Sequence, residues 1–272
     1  MKRLIMVRGG GDIATGTIYK LYKSGFRVLV LEDAHPSAIR RNVAFSEAVY
    51  DGAQKVEDVT CYLAKDFGEA EASLREGRLT MIVDPKAEAV EKFQPFALVD
   101  AILAKRNIGT TRDMAQVTIG LGPGFTAGED VDVAIETMRG HNLGRLLYTG
   151  SPLPDTRTPG NIGGYTKERV IHANAEGILR NCAKITDTVA KGDVIARIER
   201  KDGSSADVTA TIPGLLRGLI RDGYPVWEGF KIADIDPRIT EYDNCFTISD
   251  KARCIAGGVL EAVMHEMSRG EE

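Results

Sequence analysis

The sequence predicts an α/β Rossmann-like parallel sheet domain over residues 1–165, a duplicated β-rich domain over 166–240, and a C-terminal helix within 241–272 that packs back on the first domain. Three observations lead there. Short apolar runs alternate with helical stretches in the first part. A glycine loop, Met6 to Gly16 (MVRGGGDIATG), joins the first apolar run to the first helical one. Beyond residue 176, a block repeats at an offset of 37 residues, and a fixed offset marks duplicated structure.

The loop is the most informative stretch. Leu4-Ile5-Met6-Val7 precedes it, and Ile18-Tyr19-Lys20-Leu21-Tyr22 follows with helical spacing. Strand, glycine loop and helix are the order that brings backbone N–H groups and a helix N-terminus to a phosphate. Gly9, Gly11 and Ala14 fit G-x-G-x-x-[GA]. Glu32-Asp33 ends the next apolar run, Val28-Leu29-Val30-Leu31, at about the distance where an acid holds a ribose hydroxyl. The plainer reading is a tight turn whose glycines allow close helix–strand packing.

Further runs end in polar residues. Leu79 to Val83 leads to Asp84-Pro85, and Ala97 to Leu103 to Lys105-Arg106-Asn107. Val117-Thr118-Ile119 runs into Gly120-Leu121-Gly122-Pro123-Gly124, and Val131 to Ile135 leads to Glu136, Arg139 and His141. Glu69 to Arg75 reads as a helix, and Arg40 to Gly52 as partly loop. In parallel sheets, ligands sit beyond the carboxyl ends of the strands. The expected ligand-binding residues are therefore Arg8, Gly9, Gly10, Gly11, Asp12, Ala14, Glu32, Lys105, Arg106, Asn107, Gly120, Gly122, Gly124, Arg139 and His141. Two glycine loops and several basic side chains on one edge suit a phosphate-bearing small molecule. Singly, Lys105 and Arg139 are more commonly solvated loop charges, and His141 a surface hydrogen-bonding histidine. Thr137 to Gly164 reads as a linker or an ordered loop. No catalytic residue and no metal ligand is assigned.

Composition narrows the classes. The 272 residues are 43% hydrophobic and 27% charged, with a net charge of −4. That supports a buried core and gives no reason to expect nucleic acid. Four cysteines, at 61, 182, 245 and 254, form no C-x-x-C pair and suit a reducing, cytoplasmic setting. No apolar stretch reaches membrane-spanning length, and the run after the basic Met1-Lys2-Arg3 is short for a signal peptide.

In the repeat, Gly177-Ile178-Leu179-Arg180 matches Gly214-Leu215-Leu216-Arg217. Thr188 to Gly192 matches Pro225 to Gly229, and Ile195-Ala196-Arg197-Ile198 matches Ile232-Ala233-Asp234-Ile235. Two similar half-sheets related by a pseudo-twofold follow. Val-x-x-Gly before an alternating run resembles the half-motif of biotinyl/lipoyl-type barrel-sandwich domains. Lys201, at the tip Glu199 to Ser204, lacks the Asp-Lys-Ala or Met-Lys-Met setting of a modified lysine, so a packing or docking role is favoured over a carrier and no covalently bound group is expected. After the repeat, Ser249 caps a helix with an apolar stripe from Ala252 to Met267; Gly257-Gly258 within it allow close approach. Asp234 and Asp236 read as solvated turn carboxylates. Cys245 and Cys254 are candidate reactive thiols only where exposed near positive charge.

Seven blocks, in order, resemble the YqeB family: RGGGDIATG, IRRNVAFSEAVYDG, VDAILAKRNIGT, IGLGPGFTAG, ETMRGHNLG, DIDPR and ISDKARCIAGGVLEA. The resemblance covers about residues 3–264. It implies an accessory or maturation factor for selenium-dependent molybdenum hydroxylases. The amino-terminal part is also similar to XdhC/CoxI maturation factors. The implied ligand is molybdenum cofactor or a nucleotide, and the implied partners are a molybdenum hydroxylase client and other maturation proteins. Assembly into a homo-oligomer stays open. The alternatives are a nucleotide (NAD(P) or FAD)-dependent oxidoreductase at the glycine loop, and a biotinyl/lipoyl-type carrier.

Overall fold

The computed structural model describes residues 3–156 and 158–269; Met1 and Lys2 of the basic start lie outside them. The chain divides into two compact units. One comprises residues 1–36, 44–155 and 248–272, the other 37–43 and 156–247. Among the described residues no helix is long and apolar enough to cross a membrane.

The first unit contains β1 (Leu4–Arg8), α1 (Asp12–Lys23), β2 (Arg27–Glu32), α2 (Ala48–Asp51), β3 (Ala53–Val56), β4 (Val59–Ala64), α3 (Phe67–Arg75), β5 (Leu79–Val83), α4 (Ala89–Phe93), β6 (Ala97–Asp100), β7 (Val117–Leu121), β8 (Val133–Ile135) and β9 (Leu146–Leu147). They form one nine-stranded sheet in the order β3-β4-β5-β2-β1-β6-β7-β8-β9. The central strands β1 and β2 are buried, β1 along its length and β2 from Val28 to Leu31, as apolar strands covered on both faces should be. α3 and α4 pack on the face that carries Leu4, Met6, Leu29, Leu31 and Leu98.

The expected Rossmann-like parallel sheet is corrected here. The sheet is mixed, because β3 pairs antiparallel with β4 and β9 antiparallel with β8. The helical crossovers that such a fold requires are also missing beyond β6. Residues 101–116 and 122–132 connect β6, β7 and β8 as loops with a single 3-10 turn at Arg112–Met114. Side chains anchor these loops: Asp132 accepts from Thr118 N at 2.9 Å, and the Phe125 ring fills the space over Gly120. A long helix from the end of the chain, Asp250–Arg269, covers this half of the sheet and packs against α1, β7 and β8.

That helix begins as the sequence suggests, with Ser249 Oγ accepting from Ala252 N at 3.2 Å. Its neighbour comes close because Gly16 of α1 has no side chain. A Cβ there would stand 2.8 Å from both Ala252 Cβ and the Ala252 carbonyl oxygen. Gly258 plays the same part toward the Gly144 carbonyl. Gly16→Val is therefore expected to lower stability by about 1–3 kcal/mol through overpacking, measured by urea denaturation. An unchanged midpoint would show that the two helices separate without cost.

The second unit contains β10 (Val170–His172), β11 (Gly177–Asn181), β12 (Thr188–Val189), β13 (Val194–Glu199), β14 (Ser205–Thr209), β15 (Gly214–Leu219), β16 (Pro225–Val226) and β17 (Lys231–Asp236); in chain order the Asp250–Arg269 helix of the first unit is α5. The strands make two antiparallel four-stranded sheets, β10-β17-β15-β12 and β14-β13-β11-β16. This corrects the expectation of a biotinyl/lipoyl-like barrel-sandwich made of two half-sheets. Each sheet takes two strands from each repeat half, so neither half is a sheet by itself. The offset of 37 also maps β10 onto β14, so the duplication spans all eight strands. Paired positions share burial: Ile171 with Val208, Leu179 with Leu216, Ile195 with Ile232, and Ile198 with Ile235. Gly177 and Gly214 are equivalent by close approach. A Cβ on the first would strike the Glu199 carbonyl and on the second the Asp236 carbonyl, with Ile198 Cγ2 and Ile235 Cγ2 each at 2.8 Å.

Candidate functional site

In the first unit the carboxyl ends of the parallel strands share one edge, with Arg8 in register with Leu31 and Asp100, and Asp100 with Gly120. Most of the expected site residues stand on this edge, but their groups are turned to one another. Arg8 is 3% exposed. It donates to Thr110 Oγ1 at 2.5 Å, to Asp100 Oδ2 at 3.3 Å and to the Pro85 carbonyl at 3.3 Å. It braces the loop after β6 and faces no ligand space.

The glycine loop is also largely occupied. Gly9 N donates to the Leu31 carbonyl at 2.8 Å, and a Cβ on Gly9 would stand 3.1 Å from Ile102 Cα. Gly10 N donates to Glu32 Oε2 at 2.6 Å. The Gly10 carbonyl accepts from Ser46 N at 2.9 Å and from Thr15 Oγ1 at 3.1 Å. A Cβ on Gly10 would meet Met81 Cε at 2.8 Å. Glu32 Oε1 accepts from Asp33 N at 2.8 Å. Burial pushes the Glu32 carboxyl above the ordinary carboxylate range, with the bonds from Asp33 N and Gly10 N opposing. Both carboxylate oxygens are engaged by the loop itself, so the ribose role expected of Glu32 has no basis in this geometry. Ala14 is buried in α1.

The second glycine group serves packing. Gly120 lies under the Phe125 ring, a Cβ on Gly122 would meet Thr137 Oγ1 at 2.6 Å, and Gly124 adjoins the backbone of Arg106. Asn107 closes its own loop, accepting from Gly109 N and Thr110 N at 2.9 Å. Lys105 pairs with Asp155 at 2.6 Å. Arg139 makes a two-pronged bond to Asp250 at 2.9 and 3.0 Å, which raises its pKa against the opposing effect of burial. His141 and Arg106 are exposed.

One place on the edge is open. Gly11 caps α1 with no side-chain cap, and nothing lies within 4 Å of a Cβ built there. Thr15 N to the Gly11 carbonyl, at 2.8 Å, is the first backbone bond of the helix. Beside this start stands Lys251, one residue before the Ala252 that Gly16 contacts. Burial lowers its pKa, as does Arg139, while Asp12, Asp155 and Glu136 oppose. Among the described residues no hydrogen bond or ion pair holds its Nζ. Glu136 is 4% exposed, and its oxygens accept from Met138 N at 2.6 Å and Leu153 N at 2.8 Å, so it pins the loops around Lys251. Sequence reasoning identified the helix but passed over Lys251. The available signal was a lysine in a first turn, where the helix dipole disfavours a cation.

Outside the edge, Cys245 is buried, which pushes its thiol up; Cys254 Sγ donates to the Leu143 carbonyl at 3.2 Å. Asp234 and Asp236, expected as solvated turn carboxylates, are instead buried in ion pairs with arginines. Lys201 is almost fully exposed, 3.5 Å from Glu176.

No family model matches the chain. It is 48% identical over 268 residues to the uncharacterized protein YqeB of Escherichia coli K12, covering 98% of this chain and 48% of that protein. The chain thus spans about half the length of the curated relative it matches. Among solved structures, the apo ectoine utilization protein EutE (DoeB) from Ruegeria pomeroyi is 10% identical, with 86% of each chain covered and a TM-score of 0.27. An aspartoacylase family protein from Mesorhizobium loti is 11% identical, with 86% of this chain and 84% of that one covered, again at 0.27. A succinylglutamate desuccinylase from Silicibacter is 11% identical over 86% and 84%, at 0.26. Such low scores assign the chain neither a fold nor an activity. With the glycine-loop edge occupied by the protein's own groups, the accessory-factor expectation and its selenium and molybdenum terms are withdrawn. The oxidoreductase and carrier alternatives go with them.

Proposed function

We propose that this chain, which its identity to the Escherichia coli protein places in the YqeB family, binds an anionic, phosphate-bearing small molecule such as a nucleotide at the start of α1. The selenium and molybdenum role has no part in this reading. The observation that carries it is Lys251. A half-buried cation whose Nζ has no direct partner, at the positive end of α5 and near that of α1, is unfavourable unless an anion joins it. The uncapped start of α1 at Gly11 and the open space before it provide the place. The ligand would meet backbone N–H groups, the Lys251 ammonium and the flank of the Arg139–Asp250 pair. The separate cysteines and the net charge of −4 favour a reducing, cytoplasmic setting without nucleic acid as part of the same proposal.

Isothermal titration at low salt with inorganic phosphate and with ATP tests this. Saturable binding is expected, weakened roughly tenfold to a hundredfold in Lys251→Met, the range for one charge-assisted hydrogen bond. The methionine keeps the apolar stem, so the fold is retained. Binding that Lys251→Met leaves intact, or binding of neither compound, overturns the assignment.

A further inference from the structure

Because the second unit is built twice, each half shows which side chains the other half needs for its fold. Around the short strands β12 and β16 the two halves share one backbone. Asp187 N donates to the Lys184 carbonyl at 3.1 Å, and its counterpart Tyr224 N to the Arg221 carbonyl at 3.3 Å. Asp193 N donates to the Ala190 carbonyl at 3.1 Å, and Phe230 N to the Trp227 carbonyl at 3.0 Å. Gly192 and Gly229, at φ +96° and +83°, donate at 2.8 Å to the equivalent alanines Ala210 and Ala173. Val189 and Val226 are both buried.

The side chains differ. The first half places Asp187, Ala190 and Asp193 where the second places Tyr224, Trp227 and Phe230. The aspartates close their turns locally, Asp187 accepting from Lys184 N at 2.9 Å and Asp193 from Ala190 N at 2.7 Å, as turn aspartates do. These turns therefore form without rings. In the second half the rings make one surface. Phe230 is nearly parallel to Tyr224, with centroids 5.8 Å apart, and lies 4.2 Å from Trp227. Tyr224 and Phe230 rest partly on the core, while Trp227 is 56% exposed. Beside them Pro225 is exposed, and Ile178, in register with it, is 36% exposed. Leu215, the counterpart of Ile178, is 1% exposed. Scattered surface aliphatics need no explanation, but joined rings under an exposed tryptophan have the composition of an interface core.

We propose that the Tyr224–Trp227–Phe230 surface docks a further folded domain, of the kind the Escherichia coli relative carries beyond its match to this chain, and that this domain meets it with an apolar patch. The match takes up 48% of that protein, so polypeptide enough for such a domain lies outside it. The size of the surface favours a tethered occupant over a free one. A stable interface between free proteins takes roughly 20–30 residues a side, far more than these rings with Pro225 and Ile178. A domain in the same polypeptide is held at high effective concentration, and a small aromatic centre then suffices. The docking surface is independent of the anion reading at α1.

A protein in which this chain replaces the matched part of the Escherichia coli relative brings the further domain together with this surface. Hydroxyl-radical oxidation of Trp227, read by mass spectrometry, should fall severalfold in it relative to this chain alone. Trp227→Ser removes an exposed side chain and should leave the urea midpoint of this chain unchanged. In the joined protein it should speed proteolytic cleavage between this chain and the further domain about tenfold or more, as loss of a central interface aromatic would. The native Escherichia coli protein supplies a second measurement that does not depend on the joined protein folding. Its amides aligned with Tyr224–Phe230 should exchange severalfold more slowly than the same turn in this chain. Undiminished oxidation of Trp227, cleavage at the unsubstituted rate, or equal exchange overturns the assignment. Trp227 is the chain's one tryptophan, so its fluorescence reports this surface. A blue shift as this chain alone is concentrated would give the surface to a second copy and overturn the assignment too.

Discussion

Arg8→Met is expected to destabilise the first unit by about 3–5 kcal/mol, the cost of leaving a buried charge without its partner. The partner is Asp100, 1% exposed. With Arg8 gone, Asp100 Oδ2 keeps only Thr110 Oγ1 at 2.6 Å, and Oδ1 only Ile102 N at 3.2 Å. Neither neutral group balances the charge. Adding Asp100→Asn to Arg8→Met should recover part of the loss, because the remaining buried group is then neutral, and the coupling between the two positions should exceed 0.5 kcal/mol as for residues in contact. Urea denaturation followed by circular dichroism measures both. A loss below about 1 kcal/mol, within the range of a surface substitution, would mean that Arg8 is hydrated and available to a ligand after all. The result separates the two roles of an arginine at a strand end, which sequence alone does not.

That ambiguity explains which parts of the structure were legible in the sequence. The β1 and β2 runs were legible because strands covered on both faces are continuously apolar, and α5 because its cap and apolar stripe are local. Edge strands β3 and β9 were not. The first, Ala53–Val56, is half polar, and the second has two residues, so neither carries a periodicity. The run from Ala97 to Leu103 reads as one strand, yet β6 stops at Asp100, where Arg8 and Thr110 draw the aspartate into the loop network. Nothing within the run itself records that distant pairing.

The glycines show the same limit. A glycine states that no Cβ fits, and says nothing of what fills the space. At Gly10 the neighbours are Met81, Ser46 and Glu32, and at Gly120 the Phe125 ring. Of the glycines expected at the site, Gly9, Gly10, Gly11, Gly120, Gly122 and Gly124, Gly11 alone faces open space, and it looks no different in the motif. Lys251 lies more than 200 positions away in the chain, and only the packing of α5 on α1 at Gly16 and Ala252 brings it near. The repeat was legible as an offset, but the exchange of strands between halves was not, because two copies of one sequence pattern carry no instruction about which copy a strand pairs with.

Asp236→Ala is expected to cost the second unit about 3–5 kcal/mol and to change how its stability depends on pH. Asp236 is 0% exposed. Arg217 Nη1 donates to its Oδ2 at 3.0 Å, and Arg238 to both oxygens at 2.8 and 3.0 Å. Arg217 also binds Asp234, which pairs in turn with the buried Arg169 at 3.1 Å. Removing Asp236 therefore strips a carboxylate from an arginine network that has few others. Burial alone would push the Asp236 carboxyl up, but the bonds from Arg238 and the charge of Arg217 bring it below the usual carboxylate range. A carboxyl depressed by folding contributes stability that is complete above its unfolded value of about 3.9 and is lost as pH falls through its lower folded value. Wild type should therefore lose stability as pH falls below about 4, and Asp236→Ala should show a shallower decline over that window from a lower plateau. Thermal denaturation of both proteins between pH 7 and pH 3 measures this. Parallel curves would show that Asp236 carries none of the acid sensitivity and that the network is held by Asp234 alone.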